Sequence, residues 1–499
     1  MKDKPTRVAL GPKLKIRRLI TGLWQMADQE RADLAGDGPR FDRERAAEAL
    51  LAYARAGFDS FDMADHYGSA EIVAGMVHKT MREAGETPPV ILTKWCPAPA
   101  EMDAGTVRQG VERALARLGL DHVDVMQFHW WRYEDPRYLD ALAHLMRLRE
   151  EGLIGAIGLT NFDAAHLRML LKNGIEIASN QVCFSLLDRR AADALFDVAR
   201  THDVALLAFG SLCGGFLSDR WLGAEEPMHI PDWSRQKYKR FIDQGGGWAR
   251  FQSLLSVLSE IAGKHGVSVS NVATAWVLGH AEISAAIIGV RLGETQHRAD
   301  NLRALDLTLD DDDRRDIDAA IGSLNAIPGD CGDEYRRPPF LTASGDLSHH
   351  LASLPAIYPV RPVGERTDRS LVETGSIWEE KAGFARATRI GRRILVSGTT
   401  ATTPAGAPVC PDDAAGQAVY ILDKIAAAVE ALGGSLGDVV RTRIYLRHAS
   451  AWEGVSAVHA RYFGGVRPAN TLIGGIELVG PYEVEIEAEA EIDGDWPGG

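Results

Sequence analysis

The sequence predicts an α/β protein, an eight-stranded barrel followed by a smaller α+β domain. Three observations carry this. The chain has 499 residues, long for a single hydrophobic core. Short apolar runs alternate with helix-like stretches eight times between about residues 16 and 325. Beyond about residue 370 the alternation gives way to a different order of elements.

The eight strands are expected at Leu19–Trp24, Phe58–Ala64, Val90–Lys94, Val123–His129, Ile154–Leu159, Ile177–Val182, Ala205–Phe209 and Ala285–Val290. Most are rich in Val, Ile, Phe and Leu and do not alternate cleanly, as suits strands covered on both faces. Helical stretches such as Asp42–Ala56, Ala104–Leu118 and Tyr138–Glu151 separate them. Right-handed βα units repeated eight times close into a (β/α)8 TIM barrel. Between the last two strands the spacing widens, and residues 217–247, rich in Trp, Pro, Gly and charge, read as a long loop over the C-terminal face. Residues 328–369 are dominated by Pro, Gly, Arg, Ser and Asp and read as a connector. After it come a strand at Arg393–Ser397, a helix at Ala415–Leu432, a strand at Val439–Leu446, a helix at Trp452–Phe463, and strands at Thr471–Leu478 and Tyr482–Ala490. The expected domains are therefore 1–327 and 370–499, with 328–369 between them.

Composition narrows the function. A formal charge of -14 argues against a broad nucleic-acid surface. No run of about 18 apolar residues is present, so no membrane span is expected. The first ten residues lack the apolar core of a secretory signal. Five scattered cysteines, without a C-x-x-C pair, read as reduced thiols in a cytoplasmic protein, and no metal site is expected.

Four ionisable residues fall at the C-terminal ends of consecutive strands. Asp62 and Tyr67 lie in FDMADHYGSAE, Lys94 in VILTKW and His129 in VMQFHWW. Strand ends meet at a barrel mouth, so these side chains should converge. A lysine ending an apolar strand is costly to bury without a partner, and Asp62 can be that partner. Reducing a carbonyl needs a hydride at carbon and a proton at oxygen. A tyrosine, with a pKa of about 10, is a poor acid near neutrality, but a neighbouring ammonium favours its phenolate. Tyr67 beside Lys94 can thus act as general acid in reduction and general base in oxidation. Asp62 would hold Lys94, and His129 would orient the carbonyl and stabilise charge on its oxygen. Trp24, Trp130 and Trp131 are candidates to line the substrate pocket, since indole rings offer wide apolar surface.

These residues resemble the aldo-keto reductase superfamily, in which an aspartate, a tyrosine five residues on, a lysine and a histidine form a catalytic tetrad. The likeness spans about residues 15–310. It implies a nicotinamide site. Thr160 and Asn161 of GLTNF and Gln181 would meet the carboxamide. Phe209 would stack on the ring. Ser211, Leu212 and Gly214 of FGSLCGGFLS would wrap the pyrophosphate. Gly289, Arg291 and Asn301 would hold the adenosine 2'-phosphate and adenine. Arginine suits phosphate through its fork of donors, hence an expectation of NADP(H). Thr160 replaces a frequent serine, and the interval from Gly289 to Asn301 is longer than in many relatives.

Residues of about 372–493 resemble the Rid family of small trimeric enamine/imine deaminases. The matching stretches include RILVSGTTAT, RYFGGVRPANT and YEVEIEAEAEI. The likeness implies a chorismate-mutase-like α+β fold, a homotrimer, and a ligand cleft with Asn470 and Glu485. The family's carboxylate-clamping arginine is replaced here by Asn470, which lacks both charge and fork. The expected whole is a cytoplasmic NADP(H)-dependent oxidoreductase of a small carbonyl or alcohol, fused to an oligomerising or ligand-binding module. A bifunctional reductase–deaminase and a nicotinamide-sensing binding protein remain as alternatives.

Overall fold

The computed structural model describes residues 6–11, 14–30, 41–98, 100–192, 194–294, 297–336, 356–364 and 366–493. The chain divides into two compact units, one built on a closed barrel and one on an open sheet.

The barrel has eight parallel strands in sequence order, with the last closing on the first. They are Leu19–Gly22, Ser60–Ala64, Val90–Trp95, Val123–His129, Ile154–Thr160, Ser179–Cys183, Ala205–Phe209 and Ile283–Gly289. Closure pairs Ile287 with Ile20 and Gly289 with Gly22. Every expected strand is present, with ends shifted by at most two residues.

Side chains alternate across each strand, and this places the site. Leu92 and Val125 lie in an apolar cluster with Ile20, Leu207, Ala285 and Ile287. Two residues further along the same faces come Lys94 and Gln127, then His129. The barrel interior thus turns from apolar to polar toward the C-terminal ends of its strands. An N-terminal hairpin, Arg7–Ala9 paired with Lys15–Arg17, contributes Leu10 and Ile16 to the apolar cluster.

Two stretches expected to be irregular contain structure. Within 217–247 a helix runs over Trp233–Gln244, and the Asp232 side chain caps it by accepting from the Arg235 amide. Its buried face is Lys237, Tyr238, Phe241 and Ile242, at helical spacing. Four charged residues on the other positions, Arg235, Lys239, Arg240 and Asp243, hide that face from a reading by composition. The start of the expected connector also folds onto the barrel, with a single 3-10 turn at Asp333–Tyr335 whose three residues are buried. Residues 337–355 of that connector lie outside the described residues.

The second unit is a seven-stranded sheet. Its central antiparallel strands are Arg393–Thr400, Val484–Glu491 and Val439–Leu446, and Ala469–Gly474 joins the last in parallel. The strands Val360–Val363, Arg366–Val372 and Ala387–Ile390 extend the other side. These three precede the elements expected from sequence, because Arg, Thr and Pro mask their alternation. The helices Ala414–Ala431 and Trp452–Phe463 supply the apolar layer, the first buried along nearly its whole length.

Candidate active site

A cavity of about 520 Å3 opens at the C-terminal ends of the barrel strands. Its walls include Asp62, Tyr67, Lys94 and His129, which come from three separate stretches of sequence but converge as the barrel closes.

Asp62 and Lys94 form a buried ion pair. The Lys94 ammonium donates to both carboxylate oxygens of Asp62, at 2.8 and 2.7 Å, and to the Met63 carbonyl at 3.1 Å. Burying two charges costs several kcal/mol per ion, and only close pairing with further hydrogen bonds offsets it. Those bonds are supplied by two amides. Gln127 and Gln181 donate to Asp62 Oδ1 at 2.8 and 2.6 Å, and Gln181 also donates to Gln127 Oε1 at 2.8 Å. Gln127 escaped the sequence reading, although it lies two residues before His129 on the same face.

The Lys94 ammonium lies 5.0 Å from the centre of the Tyr67 ring. Trp24 packs edge-on against Tyr67 at 4.9 Å. His129 is buried, and its Nε2 has no hydrogen-bond partner among the described residues. Burial holds its pKa well below the usual imidazole value, and the nearby Arg336, His66, Lys94 and Lys237 push the same way. The ring is therefore neutral near pH 7 and can donate one N–H.

Trp24 and Trp131 line the cavity, and Trp131 packs edge-on to His129 at 4.4 Å. Trp130 does not line it. Its ring stacks on Phe128 at 5.7 Å, on the outward series of alternate positions. This corrects the expectation for Trp130, and alternation from His129 explains it.

The expected cofactor contacts Thr160, Asn161, Gln181, Phe209, Ser211, Leu212, Gly214, Gly289, Arg291 and Asn301 all line the same cavity. Asn161 sits in the left-handed region at φ 60°, a conformation asparagine tolerates better than most residues. Gly214, at φ 64°, lets the 209–218 loop turn tightly, and a Cβ there would press on Tyr238. Besides His129 Nε2, the buried Thr160 Oγ1, Ser211 Oγ and Arg235 Nε have no hydrogen-bond partner among the described residues. Buried polar atoms of this kind are costly unless a polar ligand satisfies them. Arg220 and Arg235 both face the cavity, and burial together with the Arg220 charge lowers the Arg235 pKa. Two facing guanidiniums, an orphaned hydroxyl and a glycine-rich turn fit a diphosphate. Neither Arg220 nor Arg235 had been singled out, because the segment carrying them reads as a loop. Arg291 is ion-paired to Asp232 and lies 3.8 Å from Glu294.

In the second unit, one chain does not bring Asn470 and Glu485 together. Asn470 pairs with Thr442 and donates to its hydroxyl at 2.9 Å, and that hydroxyl meets His459 of the helix layer. Glu485 pairs with Tyr445, three positions along the same strand and hence on the opposite face. Burial and Glu487 raise the Glu485 pKa.

Comparison with known proteins adds the following. The family model described as "Aldo/keto reductase family" matches residues 18–321, and that described as "Endoribonuclease L-PSP" matches residues 377–492. The NADH-specific methylglyoxal reductase of Escherichia coli is 25% identical over 328 residues, covering 60% of this chain and 93% of its own length. The aldo-keto reductase YhdN of Bacillus subtilis is 27% identical over 321 residues, covering 60% and 89%. A glycerol dehydrogenase structure from Gluconobacter oxydans covers 66% of this chain and 98% of its own at 20% identity, with a TM-score of 0.54, a likeness of fold.

Proposed function

The chain belongs to the aldo/keto reductase family and carries an endoribonuclease L-PSP domain behind the barrel, and from that premise we propose that it interconverts a small carbonyl compound and its alcohol with a nicotinamide dinucleotide. One observation supports this most directly. The buried Asp62–Lys94 pair places an ammonium 5.0 Å from the Tyr67 ring, on a wall shared with a neutral, unsatisfied His129.

The bound nicotinamide would supply or take up the hydride. The chain's own groups handle the rest. Thr160, Asn161 and Gln181 would hold the carboxamide. The Gln181 amide nitrogen is committed to Asp62 and Gln127, so its oxygen is the side offered to a ligand. Phe209 would pack on the ring, and Ser211, Leu212, Gly214, Arg220 and Arg235 would bind the diphosphate. His129 would donate an N–H to the substrate oxygen and stabilise the charge growing there. Tyr67 would deliver the proton to that oxygen in reduction and remove it in oxidation, with Lys94 favouring the phenolate. Asp62, Gln127 and Gln181 would fix the position of Lys94.

The test is Tyr67→Phe in the full chain. Turnover of a carbonyl panel should fall by about 10^2- to 10^4-fold, while nucleotide binding followed by fluorescence stays near wild type. Near wild-type turnover would overturn the acid/base assignment.

For the nucleotide we propose NADP(H), with the 2'-phosphate at Arg291. NAD(H) is a second reading, favoured by Asp232 and Glu294 beside Arg291, since a phosphate would add about two further negative charges there. Comparing kcat/KM for NADPH and NADH in wild type and Arg291→Met separates the two. A variant with unchanged nucleotide preference would remove Arg291 from the phosphate site.

We propose that the barrel domain runs through Arg336 rather than ending near 327, and that the C-terminal domain assembles the chain into a homotrimer or binds a ligand. Sedimentation of the full chain tests the trimer, and a monomeric species at micromolar concentration would overturn it.

A further inference from the structure

The described part of the expected connector puts a tyrosine into the cavity. Tyr335 lines it beside Lys237, and the Lys237 ammonium donates to the Tyr335 hydroxyl at 2.5 Å. Both residues are buried, Lys237 with 4% of its surface exposed. The ammonium sits among aromatic rings, 4.3 Å from the centre of Tyr335 and 4.8 Å from that of Phe209. Its nearest carboxylate oxygen is on Glu334, at 3.4 Å. Glu334 is claimed more closely by Arg190, at 2.7 Å, and Arg190 is also paired with Asp188. The Lys237 charge is thus held by π faces, the Tyr335 hydroxyl and a carboxylate that it shares with Arg190.

Tyr335 links this charge to the reacting end of the cavity. Its ring lies 5.8 Å from the His129 imidazole, edge to face. Lys237 and Tyr335 line the same cavity as His129 and Tyr67, so a substrate whose carbonyl oxygen is held by the latter two would share its walls with an ammonium and a phenol. Two such donors match a carboxylate, and charge-assisted hydrogen bonds are the stronger kind.

We propose that Lys237 and Tyr335 form an anion subsite, so that the preferred substrates are carbonyl compounds bearing a carboxylate a few bonds from the reacting carbon. This rests on the reductase reading above. It assigns to the start of the connector a part in substrate choice that neither family match covers, since they span residues 18–321 and 377–492.

The experiment uses the full chain and matched substrate pairs, succinic semialdehyde against butanal and 4-carboxybenzaldehyde against benzaldehyde. The readout is the ratio of kcat/KM within each pair. Wild type should favour the carboxylate by about tenfold or more, and Lys237→Met should cut that ratio by about as much. Lys237→Arg should keep a preference. Tyr335→Phe, which retains the ring, should lower the ratio less, and it serves if Lys237→Met does not fold. A wild-type ratio near one overturns the proposal. So does an unchanged ratio in Lys237→Met or a rise in nucleotide Kd that affects all substrates alike, which would assign the lysine to the cofactor. Absence of turnover for every carbonyl with either nucleotide overturns the reductase reading and this proposal together, whereas turnover without the ratio overturns only the subsite.

Discussion

Arg336 donates to the backbone oxygen of Asn161 at 2.6 Å, and so ties the residue after the Asp333–Tyr335 turn to the strand end where a nicotinamide contact is expected. The same guanidinium donates to the Trp130 carbonyl at 2.8 Å. Gly332 makes the approach possible. It takes φ 83°, and a Cβ there would collide with the Asn161 carbonyl and with Arg336.

Removing this clamp should loosen the cavity wall. Arg336→Met leaves two buried carbonyls without their donor, at about 1–3 kcal/mol each before relaxation. Denaturant unfolding should show a loss of about 2–4 kcal/mol. A loss below about 0.5 kcal/mol would mean the clamp is not formed in solution.

The buried imidazole of His129 gives a pH dependence with a definite sign. Unfolded, it takes up a proton below about 6.5, whereas folded it resists until well below that value. The unfolded chain therefore binds more protons as pH falls from about 6.5, and stability drops by up to about 1.4 kcal/mol per pH unit for this group. His129→Gln should flatten the stability slope between about pH 6.5 and about pH 5. Equal slopes in the two proteins would place the imidazole in water.

Gln127 is expected to matter without touching substrate. Gln127→Met removes a donor to Asp62 and an acceptor for Gln181, and should cost roughly tenfold in kcat through misplacement of Lys94. The carbonyl KM should change less. A fall in KM-dependent terms alone, with kcat intact, would argue against a positioning role.

In the second unit, burial lowers the Lys424 ammonium from 10.5 to about 7, with Arg386 adding to the effect. Between these values the unfolded chain holds a proton that the folded chain lacks, so stability from this group rises with pH across that window. Its amine donates to the Thr402 carbonyl at 2.8 Å, which offsets part of the penalty below 7. Lys424→Met should raise the unfolding temperature at about pH 6 and lose most of that advantage by about pH 9.5. A gain independent of pH would point to packing instead.

How much of this was legible follows from where each signal sits. Asp62, Lys94 and His129 end apolar strands, where a charged or polar residue stands out against its neighbours. Gln127 is equally central but is an amide inside a strand, which composition does not flag. Alternation from His129 would have excluded Trp130 and kept Trp131. The same parity argument separates Asn470 from Glu485 once their pairing along Val439–Leu446 is known, and that register was not readable. Lys237, Tyr335 and Arg336 were hidden for another reason. They lie in stretches whose charge and proline content resemble linkers, yet each is buried by partners distant in sequence. Burial of that kind is a tertiary outcome, and no local period announces it.

The turn at Asp333–Tyr335 bears on how the molecule can be dissected. A truncation at residue 321, where the recognisable reductase homology ends, would keep all eight strands and Asp62, Tyr67, Lys94 and His129 but discard Glu334, Tyr335 and Arg336. Such a fragment would take the Glu334 carboxylate from Lys237 and leave Arg190 with Asp188 alone. An excised barrel is therefore a poor proxy for the full chain unless it is carried through Arg336.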